Sequence, residues 1–306
     1  MKKLLALLLV VSMIFTMVAC EKSAAKTEVS SDKSDTTYSV TDSRGKTVTF
    51  NKTPEKIISL LPSDTEIVYA LGFGDKLIAV SEYCNYPSDT ENKKKLASGS
   101  KTSIESIIAE QPDLVIFGKM AQTEDQFKQV EDAGINVIVT EATSINDTYL
   151  VIEMLGKVLR ASEKSAEIIN GMKKDFNDIK TQVAGKSSYK VYVEISPVIH
   201  GPWSCGKGTF QDELLTLVGA ENIFYDMDGW QKVSEEQVIS RNPDYIFATD
   251  MYSTPDPIGE IMGRTSWYNI NAIKNNKVFS ADADALTRPG PRLVDAAKEL
   301  YTKIYE

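Results

Sequence analysis

From Tyr38 onward the chain alternates short apolar runs with stretches whose apolar residues recur every three or four positions. The runs fall at residues 57–61, 77–80, 114–117 and 137–139, and helical spacing fills residues 64–71, 103–110 and 123–133 between them. The same alternation resumes with runs at 191–195, 245–248 and 278–280 and helices over 209–218, 234–240 and 293–305. Strand–helix alternation of this kind implies βαβ units, and so an α/β fold of two Rossmann-like lobes with mostly parallel sheets. Between the halves the period changes. From Val151 to Val183, steps of four and three residues alternate and land on apolar side chains at eight of ten positions, one face of a helix. Ser144, Asn146 or Asp147 can cap its start and Gly185 can end it. The pattern predicts one long backbone α-helix over 147–185, a rod of roughly 55 Å at ~1.5 Å per residue. Gly156 and Gly171 each weaken it by about 1 kcal/mol, and a break near either would give two helices and a turn instead. The expected lobes are therefore residues 38–146 and 186–306.

The two halves echo one another. Ser103, Glu105, Pro112 and Asp113 have the same spacing as Ser234, Glu236, Pro243 and Asp244, with an apolar pair inside each segment. Thr65 to Gly72 likewise parallels Asp212 to Gly219. Two such pairs in the same order point to similarly built lobes.

The first twenty residues stand apart from the fold. Lys2 and Lys3 precede an apolar run from Leu4 to Val18 that reads as a secretory signal and is short for a membrane span. It ends in Met17-Val18-Ala19-Cys20, similar to a bacterial lipobox in which Cys20 becomes the acylated N-terminus. Acyl chains would anchor the protein to a membrane without spanning it. Residues 21–37 are rich in Ser, Thr, Lys and Asp, with Val29 the only large aliphatic side chain, and read as a disordered tether. The expected product is extracytoplasmic and lipid-anchored to the cell membrane.

Composition then narrows the chemistry. At 306 residues there is room for about two domains. The net charge of -9 argues against nucleic acid, which needs a basic surface. Three cysteines exclude a disulfide scaffold, and the single imidazole, His200, excludes a site built from several. Cys84 and Cys205 fall on opposite lobes, and free thiols are expected there. Gly201, Gly206, Lys207 and Gly208 approach a phosphate loop, but Gly208 stands where that motif places the Mg²⁺-binding hydroxyl.

Five stretches carry a more specific likeness: residues 59–66, 81–87, 201–207, 230–236 and the run Arg288-Pro289-Gly290-Pro291-Arg292. In this order, behind a lipobox and around a linking helix, they resemble the helical-backbone (class III) substrate-binding lipoproteins of ABC importers, closest to the cobalamin- and ferric-siderophore-binding branch. The resemblance covers Tyr38 to Glu306. It implies ligand contacts from Tyr83, Trp203, Trp230, Asp284 and Arg288, and docking to a two-fold permease and its ATPase through Glu105 and Glu236. It also implies a monomer without enzymatic activity, intrinsic cofactor or resident metal, whose transported ligand is a corrinoid or ferric chelate. Gly99 and Gly118 stand where the cobalamin-binding relative has tryptophan, which keeps siderophore and haem open as ligands. A surface enzyme or redox protein on the same scaffold, and a ligand-sensing partner of a membrane kinase, are the readings from other classes.

Overall fold

The apolar runs form two separate parallel sheets in the computed structural model, which describes residues 37–249 and 255–306. The signal segment, Cys20 and the tether up to residue 36 lie outside the described residues. In chain order, the first half comprises β1 (Tyr38–Thr41), β2 (Thr47–Phe50), β3 (Ile57–Ser59), α1 (Pro62–Ala70), β4 (Leu77–Ser81), β5 (Lys94–Leu96), α2 (Ile104–Ala109), β6 (Leu114–Gly118), α3 (Glu124–Asp132) and β7 (Asn136–Thr140). Two helices follow, α4 (Ile145–Val158) and α5 (Ser162–Val183). The second half comprises β8 (Lys190–Glu194), β9 (Trp203–Cys205), α6 (Phe210–Leu217), β10 (Glu221–Asn222), β11 (Trp230–Lys232), α7 (Glu235–Arg241), β12 (Tyr245–Thr249), α8 (Pro257–Met262), α9 (Asn271–Lys274), β13 (Val278–Ala281), α10 (Ala283–Thr287) and α11 (Leu293–Tyr305). The first sheet runs β5-β4-β3-β6-β7 and the second β10-β8-β12-β13, with every pairing in both parallel. Two antiparallel ribbons, β1–β2 and β9–β11, complete the strands described.

The sequence echo has a structural meaning. Gln111 and Asn242 each take a left-handed conformation (φ 50° and 48°) and turn the chain out of a helix into a Pro-Asp step. Asp113 Oδ2 then accepts the amides of Glu55 and Lys56, and Asp244 Oδ2 accepts that of Lys190. In each half the aspartate clamps the start of the neighbouring central strand, so the repeat encodes strand register.

The expected continuous rod over 147–185 is two helices. After Val158 the chain closes α4 with a Schellman motif: Arg160 sits at φ 52°, its amide donates to Lys157 O, and the Ala161 amide reaches Gly156 O at 2.7 Å. Gly156 is needed because a Cβ there would lie 2.5 Å from the Ser165 Cβ and Oγ, at the place where α5 crosses it. The chain then folds back, bringing Lys173 Nζ to 5.0 Å from the Tyr149 ring centroid. Of the expected rod only α5 remains as the connector, about 33 Å long. The predicted apolar face is nevertheless the buried one on both sides of the break, with Val151, Leu155 and Val158 on α4 and Met172, Phe176 and Ile179 on α5.

That face belongs to one apolar cluster shared by both halves. It includes Ile116 and Ile138 from the first sheet, Val191 and Phe247 from the second, and Leu214 and Leu300 from the helices between. Glu213 Oε2 of α6 accepts the Ile145 amide at the start of α4 at 2.6 Å, a further tie across the halves. A core packed continuously through both sheets restricts relative motion to small adjustments.

Candidate functional site

Open parallel sheets bind ligands beyond the carboxyl ends of their strands, where strand order reverses. Those points are β3 in the first sheet and β8 in the second. Close to the carboxyl ends of other strands, the loop that follows β4, the segment that follows β13 and helix α1 meet in one polar cluster that joins residues roughly two hundred positions apart.

Arg288 lies at its centre. Its Nη1 donates to Asn85 Oδ1 at 2.7 Å and to Glu66 Oε1 at 3.3 Å. Its Nη2 donates to the Tyr83 carbonyl at 3.1 Å and pairs with Asp284 Oδ1 at 2.6 Å. Asn85 Nδ2 in turn donates to Asp284 Oδ2 at 2.7 Å. Arg292 grips Glu66 with two parallel bonds, Nε to Oε2 at 2.8 Å and Nη2 to Oε1 at 2.7 Å, the bidentate geometry that gives such pairs their strength. The hydrogen bond with Glu66 raises the pKa of Arg292 above the ordinary guanidinium value, although burial acts against this. The same guanidinium stacks 4.2 Å from the Tyr86 ring centroid.

The structure therefore brings together three of the five expected ligand residues, Tyr83, Asp284 and Arg288. It adds Glu66, Asn85, Tyr86 and Arg292, which the sequence reading did not single out. A signal for two of them existed, because Glu66 and Arg292 end two of the five stretches that carried the likeness. Pro289, Gly290 and Pro291 bring the second stretch close to α1, with Gly290 beside the Ser63 carbonyl and Glu66 Oε2. Tyr83 projects outward with 61% of its surface exposed, a free aromatic face on a fixed backbone.

Trp203 and Trp230 stand on the β9–β11 ribbon, where Trp230 pairs with Cys205 and Trp203 with Lys232. Trp203 is exposed. Trp230 is half-buried, packs edge-on against Phe210 and donates from Nε1 to Gln211 Oε1 at 3.1 Å, so part of its ring serves the core. The phosphate-loop likeness has another cause. A Cβ on Gly206 would lie 2.1 Å from Met227 O, while the Gly206 and Lys207 amides already donate to Gly229 O and Met227 O. Gly206 serves close backbone packing, and two amides that would cradle a phosphate are engaged.

Gly99 and Gly118 are held differently. Leu61 backs Gly118, and a Cβ there would meet Leu61 Cδ2 at 2.6 Å. Gly99 sits at φ 73°, a conformation that disfavours any larger residue, and a Cβ there would meet the Ala121 carbonyl oxygen at 3.8 Å. Cys84 and Cys205 are free and buried. Burial raises the pKa of the Cys84 thiol and pushes that of Cys205 up to about 12, which keeps both protonated and disfavours thiolate chemistry. His200 is exposed at the end of a single 3-10 turn, Val198–His200.

Glu105 and Glu236 occupy the same place in the two halves. Each is exposed in the first turn of a short helix, α2 or α7, whose N-cap serine (Ser103 or Ser234) accepts an amide three residues on. Glu236 has its carboxyl pKa lowered by its own backbone amide and by the Ser234 hydroxyl.

The profile of the periplasmic binding protein family matches residues 57–285. The chain belongs to this family. YvrC, an uncharacterized ABC transporter substrate-binding lipoprotein of Bacillus subtilis, is 36% identical over 274 residues, spanning 87% of this chain and 85% of the relative. A vitamin B12-binding protein of Vibrio cholerae is 30% identical over 251 residues, 81% of this chain and 88% of its own. Among solved structures, the periplasmic vitamin B12 binding protein BtuF of V. cholerae superposes with a TM-score of 0.72 at 28% identity, over 82% of this chain and 97% of that one. A possible iron-binding, periplasmic solute-binding protein of Staphylococcus epidermidis gives 0.73 at 32% identity, over 83% and 100%. The fold is thus the class III periplasmic binding protein fold, two α/β halves with parallel sheets. No helix among the described residues is long and apolar enough to cross a membrane.

Proposed function

We propose that this protein is the receptor of an ABC importer. It captures a corrinoid or a related metal chelate between its two halves and hands it to the permease, and it performs no chemistry of its own. The observation that carries the reading is the meeting of Tyr83, Asp284 and Arg288 from opposite ends of the chain at the carboxyl edges of both sheets. The exposed rings of Tyr83 and Trp203 offer flat contact area at low entropic cost, and the Asn85 amide and Arg288 guanidinium beside Tyr83 suit a polar ligand rim. The vitamin B12-binding relatives favour the corrinoid. Haem or a ferric siderophore is the other cargo of the same reading. The receptor is a monomer held to the membrane through acylated Cys20, with Glu105 and Glu236 docking on a two-fold permease and its ATPase.

Intrinsic fluorescence tests the capture step, with Trp203 and Trp230 as reporters. Saturable quenching is expected at micromolar cyanocobalamin or below; no response to cyanocobalamin, hemin or any ferric siderophore would end the receptor reading. Delivery is tested separately. Glu105→Lys with Glu236→Lys should leave the ligand Kd within about twofold, since both carboxylates are exposed and neither is among the groups that hold the cluster together, and should abolish uptake by whole cells. Uptake at the parent rate would remove the docking role.

A further inference from the structure

The Arg288 and Arg292 guanidinium groups, the obvious attractors for an anionic ligand, are already paired with carboxylates of this chain. Glu66 takes Arg292 at 2.7 Å, Asp284 takes Arg288 at 2.6 Å, and Asp282 lies 3.5 Å from Arg292. Glu66 is only 4% exposed and lies too deep to meet a ligand, whereas both arginine side chains keep some open surface. It reaches both arginines at once, and each of its oxygens is engaged by a guanidinium.

We propose that Glu66 sets the charge selectivity of the cleft: by neutralising Arg288 and Arg292 from beneath, it makes the site accept a chelate with an uncharged amide periphery and reject an anionic one. The proposal rests on the receptor reading above and deepens it. Its physical basis is that a guanidinium matched by an internal carboxylate offers an anionic ligand little net attraction, while still charging that ligand the cost of leaving water. Glu66 is a positioning residue. It also holds Arg288 where that side chain can bind the Tyr83 carbonyl, so the exposed tyrosine face is fixed before a ligand arrives.

The test is calorimetric titration of the full-length protein with two probes, cyanocobalamin and a trianionic ferric tris-catecholate. The parent protein should prefer cyanocobalamin by about tenfold or more. Glu66→Gln keeps the shape and removes the negative charge, and should improve the ratio of catecholate to cyanocobalamin affinity by about tenfold, with a new loss of catecholate binding as salt is raised. Arg292→Gln, which leaves the Glu66–Arg288 pair in place, should move the ratio in the opposite direction, and it reads the same quantity if Glu66→Gln fails to fold. Equal weakening of both probes in both variants would show that the cluster only holds the fold, and would overturn the proposal. A parent protein that prefers the catecholate would overturn it as well. A parent protein that binds neither probe but takes hemin, whose propionates are anionic, would overturn it too, whereas binding of no corrinoid, hemin or ferric siderophore would instead remove the receptor reading itself.

Discussion

Arg264→Met should lower the unfolding free energy by about 3–5 kcal/mol, because it strands a carboxylate inside the second half. Glu194, the last residue of β8, is buried, and Arg264 meets it with two bonds, Nη1 to Oε2 at 2.6 Å and Nη2 to Oε1 at 2.8 Å. The same guanidinium binds Glu260 and lies 4.4 Å from the centre of the Trp267 ring. Burial alone would lower the Arg264 pKa, but the hydrogen bonds with Glu194 and Glu260 outweigh it and raise the pKa instead. Burial raises the pKa of Glu194 despite Arg264. Without Arg264 that carboxyl should be protonated over more of the pH range, so the loss measured by urea unfolding should shrink on going from pH 8 to pH 5. Adding Glu194→Gln, which still accepts from the Tyr192 hydroxyl, should recover most of the loss. An equal loss in the single and double variants would show that lost packing, and not a stranded charge, sets the cost.

Asp64→Asn is expected to have the opposite sign. Asp64 is fully buried on α1 and accepts one side-chain hydrogen bond, from Thr140 Oγ1 at 2.7 Å. Desolvation pushes its carboxyl up to about 7. The unfolded chain releases this proton near pH 4, whereas the native protein holds it to about pH 7. Between those values the native state binds more protons, so stability falls as pH rises through the window. A shift of this size corresponds to about 4 kcal/mol at pH 8. Asparagine keeps an acceptor for Thr140 and carries no charge. The variant should gain on the order of 3 kcal/mol over the parent at pH 8, with the two converging near pH 4. Denaturant unfolding of both proteins at pH 4.5, 6 and 8 measures this directly, and parallel stability curves would assign the Asp64 proton to some other compensation.

Much of the architecture was legible because it is local. Every helix expected outside the linker is found within about two residues of its predicted ends, since a buried face imposes its period on the sequence wherever a helix packs on a sheet. The short strands β1, β2, β5, β9, β10 and β11 fall outside the expected runs. Runs such as Lys94-Lys95-Leu96 carry no apolar alternation, and they are strands only because a neighbour offers its hydrogen bonds. The linker shows the same boundary. Periodicity identified its buried face correctly on both α4 and α5, but Arg160 turns the chain without interrupting that period, so the pattern could not reveal the fold-back.

The candidate site divides along similar lines. The sequence by itself determined two similarly built halves, the matched carboxylates Glu105 and Glu236, and the loops that would carry Tyr83, Asp284 and Arg288. Only the tertiary structure decided how those groups are paired. Charge pairing depends on distance in space, and nothing in the intervals between Glu66 and Arg292, or between Asn85 and Asp284, encodes it. Burial decided the rest: it turned Trp230 partly into core, kept both thiols protonated, and placed one carboxylate beneath two arginines.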